Sequence, residues 1–193
     1  MKLETRTETS RDNWRTPSEI IALVKRIFDY PIDLDPCAAP DPKFHFATEN
    51  YSGETGEAPF ITGRNGLKTA WTGNVFINPP YGKAIRLWID KGYFEYIRAN
   101  TVSQIWLVPA RPGSHWWANL LRMSPLFAVL NGRLKFDDQP ASAGFPSALF
   151  IATRNKPTIK RFVSECTESN WTLYRKVYPV DSLLTACQTT SEI

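Results

Sequence analysis

The 193-residue chain holds only three cysteines and two histidines, so the side chains that most often staple a fold or ligate a metal are scarce. Cys37, Cys166 and Cys187 are odd in number and far apart, which argues against a disulfide framework and offers no paired zinc-ligand spacing. No metal is expected, and a reducing, cytoplasmic setting is. Long apolar runs are also missing, and the opening residues, MKLETRTETSRD, are too polar for a signal peptide. A soluble protein with no membrane partner is the expectation. Charge of one sign is in short supply as well: 23 Lys and Arg against 19 Asp and Glu leave a formal net charge of +4, which permits a nucleic-acid partner without demanding one. No repeat or low-complexity block breaks the chain. What it does hold is fifteen prolines, seven tryptophans and eleven phenylalanines, pointing to a loop-rich fold with large aromatic anchors. The length suits one substantial core rather than two. A single domain over residues 13–180 is expected, between a polar tail at 1–12 and a second tail at 181–193, with a monomer favoured.

Along the chain, Thr16-Pro17-Ser18-Glu19 has capping-box spacing, and Ile20, Leu23, Val24, Ile27 and Phe28 follow at helical spacing up to Pro31. Ile32-Asp33-Leu34-Asp35 reads as a short strand stopped by Pro36. Residues 40–72 suggest loops and short elements. Asn74-Val75-Phe76-Ile77 is an apolar strand, and residues 84–100 form a helical pattern through Ile85, Trp88, Ile89, Tyr96 and Ile97. The alternation continues with a strand at 105–108 ended by Pro109, a helix at 114–123, strands at 126–130 and 147–153, a helix at 157–168 and a strand at 171–178. Apolar strands alternating with helices favour an α/β sheet covered on both faces.

Between the strand at 74–77 and the helix after it lies Asn78-Pro79-Pro80-Tyr81-Gly82. Two prolines fix φ, remove two donors and push the preceding residues toward extended backbone, leaving a stiff loop with outward carbonyls. The Asn78 amide oxygen and the Pro79 carbonyl then form a preorganised pair of acceptors beside the ring of Tyr81. Such a pair suits the exocyclic amine of a planar base such as adenine. The lone pair of N6 is delocalised into the ring, and acceptors on its two N–H bonds would localise it. Stacking on an aromatic ring adds about 1 to 3 kcal/mol per base. A base inside a duplex cannot reach the loop, so the reading implies extrusion at a cost of a few kcal/mol. The loop sits at the carboxyl end of a strand, where open α/β sheets place ligands. Cytosine N4 poses the same electronic problem, so the loop alone leaves both bases open.

Asn78-Pro79-Pro80-Tyr81 is similar to the catalytic motif of amino-methyltransferases acting on adenine N6, and the chain resembles the short phage DNA N6-adenine methyltransferases of the Dam type. The likeness extends through Trp14-Arg15-Thr16-Pro17, Asp33-Leu34-Asp35-Pro36-Cys37-Ala38, Gly66-Leu67 before Trp71, Gly132-Arg133-Leu134-Lys135-Phe136 and Phe145-Pro146-Ser147, over roughly residues 12–155. It implies a Rossmann-like class I methyltransferase sheet with helices on both faces, S-adenosylmethionine as donor and double-stranded DNA as partner. For a phage-borne protein the setting is the cytoplasm of the bacterial host. The same resemblance implies that Trp14, Thr16 and Pro17 close over the methionine end of the donor, and that Asp35, Pro36, Cys37 and Ala38 form the loop after the first strand. Glu49 is a candidate for the ribose hydroxyls. No Gly-x-Gly is present, and Asn65-Gly66-Leu67 stands where relatives tend to carry Asp-Gly-Leu, with Asn65 still able to accept from the donor's adenine amine.

Arg111, His115, Trp116 and Arg122 combine cations with aromatic surface after Pro109, and Arg133 and Lys135 add a second basic pair, so these six are the candidate DNA contacts. A large separate recognition domain has no room, which leaves small insertions within the fold to recognise DNA. The other readings are a cytosine-N4 or RNA-adenine methyltransferase, and a non-catalytic DNA-binding or anti-restriction protein on the same fold. Asn rather than Ser at position 78 brings the adenine reading closer to its family.

Overall fold

A computed structural model describes residues 14–52, 64–137 and 139–175. The two expected tails, Cys187 and the end of the strand expected over 171–178 lie outside the described residues.

The apolar runs form seven strands: β1 (Leu34–Ala38), β2 (Glu49–Ser52), β3 (Gly73–Ile77), β4 (Thr101–Pro109), β5 (Leu126–Leu130), β6 (Ser147–Thr153) and β7 (Trp171–Arg175). Interleaved with them are α1 (Ser18–Phe28), α2 (Ile85–Ile97), α3 (His115–Met123) and α4 (Lys156–Glu168). The strands make one mixed sheet in the order β2-β1-β3-β4-β6-β5-β7. β1 to β4 are mutually parallel, β6 runs antiparallel to β4 and β5, and β7 runs antiparallel to β5. The carboxyl ends of β1 to β5 therefore meet the amino ends of β6 and β7 at a single edge.

Side chains alternate across a strand, and directly paired residues share a face. Trp106, Phe150, Phe127 and Tyr174 are paired in succession across four strands and line one face. Phe127 stacks on Phe150 at 4.9 Å and on Tyr174 at 5.1 Å, and Trp117 of α3 meets Phe150 edge-on at 4.6 Å. α2 packs beside α3 on this face, while α1 pairs with α4 on the other. The result is the α/β sheet flanked by helices, the Rossmann-like methyltransferase architecture. No helix among the described residues is long and apolar enough to cross a membrane.

Four local expectations are corrected. Helix α1 buries Ile20, Leu23, Val24, Ile27 and Phe28, but its N-cap is Pro17 and no side chain caps it, so Thr16 is not the capping-box residue. Pro36 does not stop β1. Leu34 and Asp35 pair with Glu49 and Asn50, and Ala38 with Ser52, so three steps on β1 match two on β2. Proline's missing N–H is absorbed by a bulge, and the Asp35 carboxylate accepts from the Cys37 N–H at 2.9 Å. Asp33 falls outside the strand, where its carboxylate accepts from the Asn74 N–H at 2.7 Å. On α2, Ile97 faces solvent, whereas Gly92 and Glu95 are buried.

Candidate active site

β3 lies inside the sheet between β1 and β4, with Val75, Phe76 and Ile77 fully buried, so the loop that follows leaves from a rigid base. Gly82 then turns the chain toward α2 with φ of 99°, in the left-handed region that side chains disfavour. The Asn78 side chain is held by a segment far away in sequence. Its Nδ2 donates to the Trp14 carbonyl at 2.6 Å and to the Thr16 hydroxyl at 3.0 Å. A carbonyl can only accept, so the amino half of the amide must face Trp14. The oxygen half is thereby turned away from Trp14, and Oδ1 is buried with no hydrogen-bond partner among the described residues.

Tyr81 is expected to present a ring face, yet only 4% of its surface is exposed. Its ring stacks on Trp14 at 6.4 Å and meets Phe145 and Phe136 edge-on at 5.7 and 6.3 Å. A base can lie against Tyr81 only if one of those rings swings aside. Burial pushes the Tyr81 phenol far above its ordinary range, and its hydroxyl is buried without a partner among the described residues. The loop thus carries a buried acceptor and a buried neutral hydroxyl within one aromatic cluster. Phe136 and Phe145 have no assigned role in the sequence reading. The signal for Phe136 is the alternation Arg133-Leu134-Lys135-Phe136, whose apolar members are buried and whose basic members are exposed.

On the neighbouring strand, Leu34 pairs with Val75, which sets the Asp35 to Ala38 segment level with the start of the Asn78 loop. Asp35 is buried, and no basic side chain among the described residues pairs with it. Burial outweighs its hydrogen bond from Cys37 and raises its carboxyl to about 7. Burial, and then the charge of Asp35, push the Cys37 thiol well above its usual value, which disfavours the thiolate. Asn65 is brought to the same place: a Cβ on Gly66 would run into the Pro36 carbonyl oxygen, and only glycine lets the 65–67 turn pack against β1. The Asn65 oxygen accepts from the Leu67 N–H at 2.9 Å, closing an Asx turn. A buried carboxylate with no basic partner among the described residues, beside a polar turn, fits a ligand that brings its own cationic group, as S-adenosylmethionine does.

Glu49 opens β2 opposite Leu34, and its Oε2 accepts from Tyr51 at 2.6 Å and Arg64 at 3.0 Å. Thr16 and Pro17 are drawn toward Asn78 and α1 respectively.

Of the candidate DNA contacts, Arg111 follows β4 at the carboxyl edge with its guanidinium 5.8 Å above the Phe145 ring. His115 and Trp116 open α3 at that edge, His115 exposed and Trp116 packed edge-on against buried Trp117. Arg133 and Lys135 follow β5 there, both exposed. Arg122 is different. It sits in the last turn of α3, about 10 Å along the axis toward the opposite edge, because each helical residue advances about 1.5 Å. It does not join the others. Among the described residues, no group of three or more His, Cys, Asp or Glu side chains is placed to hold a metal.

No curated protein matches the chain. The family described as DNA N-6-adenine-methyltransferase (Dam) matches it over residues 4–170, a span that includes the Asn78 loop, the Asp35 segment and every strand but β7. The chain belongs to the Dam family of DNA N-6-adenine-methyltransferases.

Proposed function

We propose that this protein transfers the methyl group of S-adenosylmethionine to N6 of an adenine turned out of double-stranded DNA. One observation carries the reading: Asn78 Oδ1 is a buried acceptor with no partner among the described residues, at the carboxyl end of an interior strand, with the amide nitrogen already committed elsewhere. Oδ1 accepts one N–H of the target amine and the Pro79 carbonyl accepts the other. These bonds strengthen as the nitrogen leaves the plane of the ring, so they favour the transition state over the bound base. When bound, the donor supplies an electrophilic methyl on a sulfonium, whose carbon–sulfur pair departs with the thioether as the new N–C bond forms. The methylated amine is cationic until it loses a proton, and it is acidic enough to give that proton to water. Asn78 therefore need not act as a base. Asp35 would hold the donor's ammonium, and Pro36, Cys37, Ala38 and the Asn65 turn would line its site. Once one ring swings off Tyr81, the cluster of Trp14, Tyr81, Phe136 and Phe145 receives the planar base and excludes water from it. A non-catalytic DNA-binding role gives no reason for an acceptor held ready in this way.

The test is incubation of the purified full-length protein with genomic DNA and methyl-labelled donor, followed by nucleoside separation. N6-methyladenine is the expected product, and sequence mapping then gives site preference. N4-methylcytosine as the product, or no label in DNA at any salt concentration, overturns the reading.

A further inference from the structure

We infer that Thr16 is a positioning residue for Asn78, setting which end of the amide faces the reacting base. The inference rests on the catalytic reading of Asn78 given above. The terminal torsion of asparagine is broad and close to two-fold, so oxygen and nitrogen exchange places at little cost unless neighbours distinguish them. Here two acceptors do so. The Trp14 carbonyl and the Thr16 hydroxyl both receive hydrogen bonds from Nδ2, at 2.6 and 3.0 Å. Reversing the amide would set its oxygen against the Trp14 carbonyl oxygen and present an N–H to the target amine, which already has two hydrogens to donate. The reversed state is therefore inactive. With both amide hydrogens donating, electron density moves toward Oδ1 and makes it a stronger acceptor.

Thr16 is free for this task because it does not cap the helix: α1 is capped at Pro17 without a side chain, and the Thr16 oxygen accepts from Asn78 instead. Trp14 reinforces the arrangement, since the same residue that supplies the carbonyl stacks its ring on Tyr81. Arg15 lies 3.8 Å above the Phe44 ring and anchors the segment from the other side.

The experiment compares Thr16→Val, Thr16→Ala, Thr16→Ser and Asn78→Ala in the full-length protein. It measures kcat, KM for donor and DNA, donor affinity by calorimetry, and the Asn78 side-chain amide signals by NMR. Thr16→Val and Thr16→Ala should lower kcat about tenfold, the factor equivalent to one hydrogen bond of about 1.4 kcal/mol, while both affinities stay within about twofold. Thr16→Ser should restore kcat to within about twofold. In Thr16→Val the Asn78 amide protons should shift and exchange faster with solvent. Unchanged kcat and unchanged amide signals in folded Thr16→Val, a serine variant no better than the valine one, or a loss seen wholly in donor affinity each overturns the inference. If Asn78→Ala keeps its turnover, the catalytic reading is what fails, and the amide signals still report whether Thr16 holds the side chain.

Discussion

At the residue scale, the site pairs one acceptor that must stay fixed with one acid that changes charge near neutral pH. Asn78→Ala removes an interaction made mainly in the transition state, so turnover should fall by about 10² to 10³ while DNA affinity holds. Rapid-quench and binding measurements together check this, and near-normal turnover would refute the role. Asp35 gives a pH dependence of defined sign. Its carboxyl rises from 3.8 to about 7 because it is buried, so the folded chain keeps a proton that the unfolded chain has already lost. The stability this contributes is complete below pH 3.8 and is lost as the pH climbs through about 7. Donor-free protein should thus melt higher at pH 5.5 than at pH 8, and Asp35→Asn should remove that part of the difference. Donor affinity should rise over the same window in the wild type and stay flat in Asp35→Asn, since only the ionised carboxylate attracts an ammonium; calorimetry across pH decides it. The Asn78 loop was legible in the chain because its chemistry is contiguous. The orientation of the amide was not, since its partners Trp14 and Thr16 lie 64 and 62 residues away.

At the scale of elements, hydrophobic period located the helices and most strands, and its failures have physical causes. Pro36 looked like a terminator because a proline cannot join a ladder, yet a bulge next to β2 accommodates it. β2 was hidden because Glu49-Asn50-Tyr51-Ser52 has no apolar run, being a short edge strand. Glu95 is buried against pattern because Lys91 and Asn100 satisfy it, and together they hold its carboxyl below its usual value even though burial pulls the other way. Gly92 permits the helix to lie this close to the sheet: a Cβ there would enter the Trp106 ring and crowd Trp71, both fully buried. Gly92→Ala should therefore destabilise the fold by about 1 to 3 kcal/mol, whereas Gly113→Ala, with open space around it, should change stability by less than about 0.5 kcal/mol. Denaturant titration of the two variants checks the contrast, and equal midpoints would mean that α2 does not pack as described.

At the scale of the whole molecule, a net charge of +4 is too small to hold DNA by itself, so what matters is where the cations are. The sheet topology collects Arg111, Arg133 and Lys135 at the carboxyl edge that carries the Asn78 loop, and leaves Arg122 about a helix length away. A base can be drawn out of a duplex only if the phosphates beside it are clamped near the pocket, so on the proposed function the first three are the candidates for it. Each phosphate neutralised adds roughly 0.9 to the slope of log affinity against log salt. Arg111→Ala and Lys135→Ala should each flatten the slope by about one unit and weaken binding alike on all sequences. Arg133→Ala should instead relax choice at one base position by about 1 to 3 kcal/mol if it reads a base edge, and should behave like the other two if it holds phosphate. Arg122→Ala is the internal control, expected to leave both slope and sequence preference unchanged. A flattened slope for Arg122→Ala with no effect from the other three would move the DNA to the opposite edge, where no element of the Asn78 loop could reach it, and the functional reading would have to be abandoned with the geometry.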